Sequence, residues 1–368
     1  MKKNILVIFG GKSCEHDISV ITALQALKNA DREKYDIFPL YIKDGMYTGK
    51  ALEDLKTYAD FDGAKKALKK AEFVNGGIRF FKCPSFKKYV KADCALICCH
   101  GGVGENGQLQ GLLEFYGIPY TSAGTAAAAV FMDKTLTKEF AYANKLPILP
   151  YYVIKDGKAE MPNDLEYPLI VKPASLGSSI GISVAHNADE LKSACDIAAQ
   201  FDSKIIVEKA LSDFTEINCA AVRDGGDIIV SECERPVSWK EFLSFDEKYG
   251  GGGDGMKGQR REYPAKIPNN IKKAVQNFTR AVYSHMDMKG SVRIDFLIDK
   301  TDGFVYLNEI NTVPGSLAYY LFTENGITFK KLIGIMIETG ISESKKDSEK
   351  SFEYKSRVLN TPCSGVKK

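Results

Sequence analysis

Four polar side chains occupy alternating positions in two neighbouring apolar segments of the chain. Arg293 and Asp295 lie in the segment Val-Arg-Ile-Asp-Phe-Leu-Ile, and Glu309 and Asn311 lie in Val-Tyr-Leu-Asn-Glu-Ile-Asn. Two carboxylates and an amide are hard oxygen ligands, the kind that Mg²⁺ accepts while water and substrate phosphates fill the rest of its shell. A guanidinium beside them suits a phosphate or a developing oxyanion. These residue types therefore predict a metal-assisted phosphate site.

The two segments are predicted to form antiparallel strands joined by the polar turn 299–303. If the hairpin is centred on Thr301, Arg293 lies opposite Glu309, and Asp295 follows one pair along on the same face. The four polar groups would then project from one rigid patch.

The same spacing has a simpler interpretation. Glu309 and Asn311 are expected to share a face with Val305 and Leu307, because side chains two residues apart point the same way. An ordinary cross-strand charge pair on a strand surface is common and worth little. The alternation of polar with strongly apolar residues favours a site, as does the turn Asn-Thr-Val-Pro-Gly-Ser that follows the second strand.

Earlier in the chain, the pattern is typical of a doubly wound α/β domain. Residues 4–9 form a continuous apolar run of parallel-strand type, a Gly-Gly turn follows, and residues 18–28 have a helical pattern. Residues 94–99 form a second buried strand, and the glycine-rich loop 100–107 leaves its carboxyl end, the edge at which open parallel sheets bind ligands. A Gly-x-Gly-x-x-Gly fingerprint is absent.

Two residues near these strand ends have alternative roles. Glu15 precedes the first helix, where a carboxylate acts as a cap or as the counter-ion of a substrate ammonium; the spacing favours the cap. A lone histidine such as His100 is usually structural, but here it opens a loop whose glycines allow close backbone approach.

The middle of the chain contains a second glycine loop. An apolar strand at 168–172 ends in Lys172, and the small-residue loop 173–181 leads into another short strand. This is not a P-loop, which needs Gly-Lys-Ser/Thr and a following helix. It is a hairpin whose backbone N–H groups and serine hydroxyls can fold over phosphates, or a plain surface hairpin. The strand 205–209 that follows can present backbone groups and a carboxylate to a base and a ribose.

The C-terminal half is predicted to contain a lid, two helices and a tail. Residues 239–262 include the run Lys-Tyr-Gly-Gly-Gly-Gly-Asp-Gly, which cannot pack a core and is typical of a lid. Residues 268–288 form an amphipathic helix, and residues 329–337 contribute to a closing helix. The charged tail from residue 342 is expected to be loosely held.

Composition limits the class of protein. The 368 residues are too many for one small core and predict two or three domains. With 44% hydrophobic and 26% charged residues the chain is globular, and a net charge of +3 implies neither nucleic acid nor a membrane surface. No apolar stretch approaches the roughly 20 residues of a membrane span. Nine cysteines without a repeated Cys-x-x-Cys spacing predict a reducing cytoplasm, no disulfides and no zinc site.

The order of these segments resembles the D-alanine–D-alanine ligases, bacterial enzymes of the ATP-grasp fold. The resemblance runs from about residue 4 to about residue 340. The matching stretches are Phe9-Gly10-Gly11 with Glu15 and Ser19, His100-Gly101, Gly104-Glu105-Asn106-Gly107, Gln110-Gly111-Leu112-Leu113-Glu114, Met132-Asp133-Lys134, Val171-Lys172-Pro173, Gly177-Ser178-Ser179, Gly181, Glu208-Lys209, Glu216, Lys248-Tyr249, Arg293-Ile294-Asp295, Asn308-Glu309-Ile310-Asn311-Thr312 and Pro314-Gly315.

The resemblance implies an α/β and α+β architecture in three parts. These are an N-terminal doubly wound parallel α/β domain at 1–124, a central ATP-grasp subdomain with the glycine-rich phosphate loop at 125–211, and a C-terminal ATP-grasp subdomain with the lid and metal site at 212–368. It also implies the reaction: ATP phosphorylates the carboxylate of one D-alanine, and the amine of a second attacks the acyl phosphate, in cytoplasmic peptidoglycan synthesis. ATP and D-alanine are the expected small-molecule partners, two Mg²⁺ (or Mn²⁺) the cofactors, and a homodimer the expected assembly.

The resemblance also assigns site residues. In the catalytic group, Glu15 orients the first D-alanine ammonium, and Arg293 forms the oxyanion site with the Gly315 N–H. The implied catalytic residues are Glu15, Ser178, Tyr249, Arg293 and Gly315. The implied substrate-binding residues are His100, Ser316, Tyr320 and Leu321. The implied ATP-binding residues are Lys134, Lys172, Ser179, Glu208, Lys209, Leu211, Glu216 and Lys248, and the implied metal ligands are Asp295, Glu309 and Asn311.

Two alternatives stay open at this point. The family commonly has a serine where Tyr320 aligns, on the side of the second substrate, so the acceptor is D-alanine or another small molecule such as D-serine or D-lactate. A non-catalytic nucleotide-binding protein of the same fold is the alternative from another class. The complete metal triad argues against it, because a mere binder has no need to hold two metals at the γ-phosphate.

Overall fold

The N-terminal sheet has a parallel centre and an antiparallel flank. In the computed structural model, which describes residues 2–81, 89–155, 166–237 and 261–351, its strands are Lys3–Gly10 (β1), Tyr35–Ile42 (β2), Met46–Thr48 (β3), Lys69–Val74 (β4), Gly77–Phe80 (β5), Tyr89–Lys91 (β6), Cys94–Ile97 (β7) and Tyr120–Thr121 (β8). The order is β6-β5-β4-β3-β2-β1-β7-β8. Strands β2, β1, β7 and β8 pair in parallel. The doubly wound core predicted from the first apolar run is confirmed.

The central sheet is antiparallel throughout. Its strands are Tyr151–Lys155 (β9), Leu169–Pro173 (β10), Ser183–Ala185 (β11) and Lys204–Lys209 (β12), in the order β11-β10-β12-β9. β10 and β11 pair antiparallel across the predicted glycine loop, which therefore connects two strands as expected.

The third sheet carries the polar hairpin. The remaining strands are Phe214–Asp224 (β13), Asp227–Val230 (β14), Arg235–Pro236 (β15), Arg261–Glu262 (β16), Val292–Asp299 (β17) and Val305–Asn311 (β18). β14-β13-β17-β18 form one sheet, and β15 and β16 pair as a separate two-stranded ribbon.

Helices cover the sheets and enclose three hydrophobic clusters. They are His16–Asn29 (α1), Lys56–Ala59 (α2), Phe61–Ala64 (α3), Gln108–Phe115 (α4), Thr125–Met132 (α5), Lys134–Ala143 (α6), Ala188–Ala198 (α7), Asn269–His285 (α8) and Phe329–Ser348 (α9). The segment Gly315–Asn325 is 3₁₀-helical. Shorter 3₁₀ segments are Lys50–Glu53, Lys65–Ala67 and Gly102–Gly104.

Packing does not follow chain order. The alanine-rich helix α5 and helix α6 contribute Ala127, Phe131 and Ala141 to the cluster that also holds β13, β17, β18 and α8. The last helix, α9, returns to the N-terminal sheet and buries Leu332 and Ile333 in its core. α9 also continues through Ser348, well past residue 342, where the sequence predicts a loosely held tail. The division at 124/125 and 211/212 stays a prediction.

The register of the β17–β18 hairpin differs from the sequence prediction. Arg293 pairs with Asn311 and Asp295 with Glu309, and a β-bulge follows, after which Phe296 pairs with Leu307. The extra residue of the bulge is Asn308. Two predictions are therefore wrong: Arg293 does not lie opposite Glu309, and the hairpin is not centred on Thr301.

The bulge also decides which side chains face the core. Val305, Leu307 and Ile310 all lie in the hydrophobic cluster, so the alternation changes phase at Asn308. Glu309 therefore lies on the face opposite to Val305 and Leu307, and the predicted shared face is wrong. A one-residue change of register moves every following side chain to the other face, and here it turns the polar pair away from the core.

None of the described helices is long and apolar enough to cross a membrane.

Candidate active site

The predicted metal ligands meet on the outer face of the hairpin. Arg293 donates from Nε to Asp295 Oδ1 and from Nη2 to Asp295 Oδ2, both at 2.7 Å. Asn311 Nδ2 donates to Asp295 Oδ2 at 3.0 Å. Asp295 is only 2% exposed. Its pKa is raised by burial; the attraction of Arg293 opposes this, and contact with the Glu309 carboxyl adds to it.

This donor set fits a divalent cation of the Mg²⁺ type. Two carboxyl groups in contact favour a shared proton or a bound cation, because like charges at this distance cannot both be ionised cheaply. In the described part of the chain no cluster of three or more His, Cys, Asp or Glu residues is arranged to hold a metal. The third oxygen donor is instead the amide of Asn311. Such a half-open set is what Mg²⁺ uses when substrate phosphates complete its shell.

A buried charge network lies across from the hairpin, on the central sheet. Glu208 forms ion pairs with Lys138 Nζ and with Lys172 Nζ, each at 2.5 Å. Lys172 also reaches Asn308 Oδ1 on β18 at 3.4 Å. Burial raises the pKa of Glu208, but the two lysines outweigh it and lower the pKa to about 2. Glu208 is therefore a carboxylate that can only accept hydrogen bonds.

Lys138 was not identified from the sequence. It is buried on α6, one helical turn after Lys134, so an i, i+4 search from the predicted Lys134 would have found it. Its Nζ also lies 3.5 Å from the Leu307 carbonyl of β18. It thus links the central sheet to the hairpin at the position where the bulge begins.

The glycine loop lies beside Lys134. Lys134 Nζ donates to the Leu176 carbonyl of the loop, and the Lys134 N–H donates to the Ala174 carbonyl at 2.9 Å. Burial lowers the pKa of Lys134, and the nearby Glu309 opposes this. Ser178 and Ser179 both have left-handed backbone conformations, with φ of 56° and 58°. The loop therefore holds a constrained turn between two lysines and the carboxylates of the hairpin.

Glu15 contacts the glycine loop. Ser178 Oγ donates to Glu15 Oε1. Glu15 makes no side-chain capping bond to α1, so the cap interpretation is wrong. A Cβ on Gly101 would lie 2.7 Å from Glu15 Oε2, and one on Gly177 would lie 2.9 Å from the same atom. Both glycine loops are thus shaped to admit this carboxylate.

His100 is buried beneath the same region. Its Nε2 lies 2.8 Å from Thr22 Oγ1, which also accepts the Ser316 N–H at 3.1 Å. Burial lowers the pKa of His100 to about 4. A neutral imidazole therefore connects α1, the first glycine loop and the 3₁₀ segment.

Glu105 is a second residue that the sequence interpretation passed over as a site member. Its carboxylate accepts N–H groups from Gly101 and Val313, both at 3.0 Å. Burial raises the pKa of Glu105 to about 7, and the charge of Glu15 adds to the rise. Glu105 joins the first glycine loop to the turn that follows β18. Its place in the matching stretch Gly104-Glu105-Asn106-Gly107 was the available signal.

The acceptor-side residues lie in the 3₁₀ segment, which begins at Gly315. Ser316, Leu317 and Ala318 are all left-handed, with φ of 50–53°. Ser316 and Leu321 are buried, and the Leu321 carbonyl accepts from the Tyr263 hydroxyl at 2.5 Å. Tyr320 is partly exposed; burial raises its pKa to about 12, and the nearby Arg293 opposes this.

The remaining predicted nucleotide residues within the described part of the chain lie at the end of β12 and on β13. The Lys209 N–H donates to the Pro150 carbonyl at 3.0 Å. Leu211 follows β12, and Glu216 lies on β13 opposite Leu297. Lys248 and Tyr249, with the glycine-rich lid, lie outside the described residues.

Comparisons with known proteins agree with this geometry. The family models for the D-ala D-ala ligase N-terminus and C-terminus match residues 4–123 and 143–338. A D-alanine–D-alanine ligase of Thermosipho africanus is 37% identical, covering 97% of this chain and 98% of its own length. One from Thermosipho melanesiensis is 39% identical, covering 93% and 94%.

Solved structures share the whole fold. The D-alanine–D-alanine ligase of Coxiella burnetii superposes with a TM-score of 0.79 at 23% identity, covering 95% of this chain and 96% of its own. The VanG D-Ala:D-Ser ligase of Enterococcus faecalis gives 0.78 at 25% identity, covering 92% and 100%. The first likeness shows the fold alone, which is the ATP-grasp fold predicted from the sequence. Family matches across both halves and full-length relatives above 30% identity together show that this chain belongs to the D-alanine–D-alanine ligase family.

Proposed function

We propose that the chain joins two D-alanines to D-alanyl-D-alanine with ATP, through an acyl-phosphate intermediate, for peptidoglycan synthesis. One observation carries the proposal: Arg293, Asp295, Glu309 and Asn311 meet on one face of the hairpin, opposite a buried lysine and a glycine loop. That arrangement suits phosphoryl transfer, in which positioning and charge stabilisation do most of the work.

The first D-alanine would lie between the two glycine loops. Glu15 would hold its ammonium, because the carboxylate is fixed by Ser178 and faces the space that Gly101 and Gly177 leave open. His100 would lie near the carboxylate of this D-alanine. Tyr249 is proposed to close the triad with Glu15 and Ser178.

ATP would lie between the central sheet and the hairpin. Lys134, Lys172 and Lys248 would contact its phosphates, with Ser179 in the loop above them. Glu208, an acceptor at neutral pH, suits the amino group of adenine. The backbone of Lys209 and Leu211 would complete the base site, and Glu216 would bind the ribose.

Asp295, Glu309 and Asn311 would hold two Mg²⁺ ions. Bound there, Mg²⁺ would offset the negative charge of the transferring phosphoryl group. Arg293 and the Gly315 N–H would stabilise the oxyanion that forms when the second amine attacks the acyl carbon. The Arg293 guanidinium is preorganised for this by its two bonds to Asp295.

The acceptor would lie against Ser316, Tyr320 and Leu321. A tyrosine hydroxyl in place of the usual serine keeps a hydrogen-bond donor at this wall. D-Serine or D-lactate is the alternative acceptor, and the fold likeness to a D-Ala:D-Ser ligase keeps D-serine in the test. We further propose a cytoplasmic homodimer, by analogy with the family.

An acceptor screen tests the function. The protein is incubated with ATP, Mg²⁺ and D-alanine, alone or with D-serine or D-lactate, and the products are identified by mass. We expect D-alanyl-D-alanine as the main product, with one phosphate released per dipeptide. A main product with another acceptor would support the alternative, and ATP hydrolysis that ignores D-alanine would contradict both.

A further inference from the structure

The proposed acceptor site is lined by Ser316, Tyr320 and Leu321, which we call the acceptor wall. An arginine that the preceding assignments leave out flanks this wall. Arg261 begins β16, and its guanidinium carbon lies 4.3 Å from the centre of the Tyr320 ring. Its Nη1 lies 3.7 Å from Glu234 Oε1. The side chain is 42% exposed. Arg261 therefore combines a fixed position on an aromatic ring with access to the space outside the protein.

The strand and the acceptor wall are attached to each other at a second point. Tyr263, two residues after Arg261, donates its hydroxyl to the Leu321 carbonyl at 2.5 Å. The Arg261–Tyr320 and Tyr263–Leu321 contacts join β16 and the residue that follows it to two consecutive residues of the 3₁₀ segment. The guanidinium is thus held in place by two elements and needs little ordering when a ligand binds.

Arg261 lies on the same side of the site as the reaction centre. The Tyr320 hydroxyl and the Glu234 carboxyl are each within electrostatic reach of both Arg293 and Arg261. Arg293 is bonded to Asp295 at the metal site. The order from the reaction centre outward is therefore Asp295, Arg293, then Tyr320 and Glu234, then Arg261.

The position of Arg261 matches the chemistry of an amino-acid acceptor. The attacking amine must reach the acyl carbon beside Arg293, and in an α-amino acid the carboxylate is attached to the same carbon as that amine. A bound acceptor whose carboxylate is directed away from the acyl phosphate, along Tyr320, would bring that carboxylate toward Arg261. A guanidinium offers several donors in a planar fork that matches a carboxylate. The ion pair that Arg261 forms with Glu234, within the described part of the chain, is too long to be a hydrogen bond.

We propose that Arg261, stacked on Tyr320, binds the carboxylate of the acceptor and so selects acceptors that carry an α-carboxylate. This inference rests on the proposed ligation and adds to it the residue that recognises the acceptor's charge. Arg261 is a specificity residue for the second substrate and takes no part in phosphorylation of the first.

A competition between two acceptors tests the inference. D-Alaninamide keeps the amine of D-alanine but has no carboxylate, so it can act as acceptor and cannot be phosphorylated as donor. With ATP, Mg²⁺, and D-alanine and D-alaninamide at equal concentration, the ratio of dipeptide to dipeptide amide gives the ratio of kcat/KM for the two acceptors. That ratio does not depend on the donor site or on the amount of active enzyme.

We expect Arg261→Gln to shift the ratio toward the amide by roughly 10- to 100-fold, because a charge-assisted hydrogen bond to the acceptor is lost. Arg261→Lys should restore part of the preference, since it keeps the charge without the fork. Arg235→Gln is the matched control: Arg235 lies on the paired strand β15, is also 42% exposed and forms a similar ion pair of 3.8 Å with Glu262. Its ratio should stay within about twofold of wild type.

An unshifted ratio in Arg261→Gln would overturn the inference, whatever the total activity, because a purely structural role lowers both products together. If the variant does not fold, the wild-type enzyme still decides: equal use of D-alanine and D-alaninamide would refute any carboxylate-binding residue. Failure of the proposed function is distinguishable from these results, since it yields no D-alanine dipeptide and no D-alanine-dependent phosphate release.

Discussion

The carboxyl groups of Asp295 and Glu309 contact one another at the centre of the site, and the Arg293 guanidinium bonds to the first of them. Two such groups repel each other when both are ionised, which costs stability in the absence of a cation. The arrangement is understandable as a binding site for positive charge at the transferring phosphate. Its cost to the fold and its use in catalysis can be separated by removing one charge.

Glu309→Gln removes that charge while keeping the shape of the side chain. We expect turnover to fall by at least about 100-fold, because stabilisation of the transferring phosphoryl group is lost. The free energy of unfolding should stay within about 1 kcal/mol or rise, because a like-charge contact disappears. Phosphate release at saturating ATP, Mg²⁺ and D-alanine measures turnover, and urea unfolding measures the free energy of unfolding. Asp227→Asn, an exposed charge on β14, is the control; turnover of Glu309→Gln within tenfold of it would contradict the metal assignment.

His100 gives a prediction about pH. Burial lowers its pKa from 6.5 to about 4. Between pH 6.5 and pH 4 the unfolded chain therefore binds a proton at this histidine and the folded chain does not. The stability contributed by the neutral imidazole is therefore complete above pH 6.5 and is lost as the pH falls toward 4. At about 1.4 kcal/mol per pKa unit, the loss approaches about 3 kcal/mol.

His100→Asn should remove this part of the pH dependence. Urea unfolding at pH 7, 5.5 and 4.5 measures the slope of stability against pH, and a constant offset from lost packing does not affect that slope. Substituting the exposed His186 in the same way should leave the slope of stability against pH equal to that of the wild type. Parallel slopes for His100→Asn and wild type would refute a neutral buried His100.

At the scale of elements, two glycines with the same backbone conformation provide a matched pair. Gly101 has φ of 64° and Gly117 has φ of 62°. A Cβ on Gly101 would lie 2.5 Å from Ser13 Oγ and 2.7 Å from Glu15 Oε2, whereas nothing lies within 4 Å of one on Gly117. The loop at Gly101 therefore depends on glycine for conformation and for space.

Both alanine variants should lose about 1–2 kcal/mol of stability, since each forces a left-handed alanine. Gly101→Ala should in addition lower kcat/KM for D-alanine by at least about tenfold, because it displaces the carboxylate that faces the donor. Gly117→Ala should keep wild-type kinetics. Equal kinetics in the two variants would mean that Glu15 is not positioned by the close approach of this loop.

Local sequence was sufficient to predict the strands but not the hairpin's register. The runs at 4–9 and 94–99 are continuously apolar because parallel strands are buried on both faces, and they correspond to β1 and β7. The bulge at Asn308 has no such signal. It depends on how β18 pairs with β17, and Tyr-Leu-Asn-Glu contains no glycine to mark it.

Residues from distant parts of the chain complete the site, and sequence spacing cannot predict such contacts. Glu105 meets Val313, and Lys138 meets Glu208, only because the sheets pack as they do. Resemblance to the family supplied Glu15 as a site residue where spacing favoured a cap. The contacts of Glu105, Lys138 and Glu15 can be identified only from the packing of the three sheets.

At the scale of the whole molecule, helix α9 ties the C-terminal part of the chain to the N-terminal core. Ile333 is fully buried there, while Ile341, two turns further on the same helix, is only partly buried against the same cluster. Unfolding of the N-terminal sheet should therefore also release α9 and the 3₁₀ segment that carries Tyr320.

Ile333→Ala should lower the free energy of unfolding by about 2–5 kcal/mol, in a single transition. Ile341→Ala should cost less than half as much, because less surface and no closed cavity are involved. Urea unfolding, followed by far-UV circular dichroism and by loss of ligase activity, measures the stability of both variants. Two separate transitions, or equal losses in the two variants, would contradict the coupling of the first and last parts of the chain.

The central claim is that ATP phosphorylates a D-alanine carboxylate at this site, and oxygen tracing tests it most directly. D-Alanine labelled with ¹⁸O in its carboxyl group is ligated with ATP and Mg²⁺, and the released phosphate is analysed by mass. The carboxylate attacks the γ-phosphorus, and the second amine then attacks the acyl carbon and displaces phosphate, which predicts one ¹⁸O atom in each phosphate. Unlabelled phosphate would show that the carboxylate is never phosphorylated and would contradict the account.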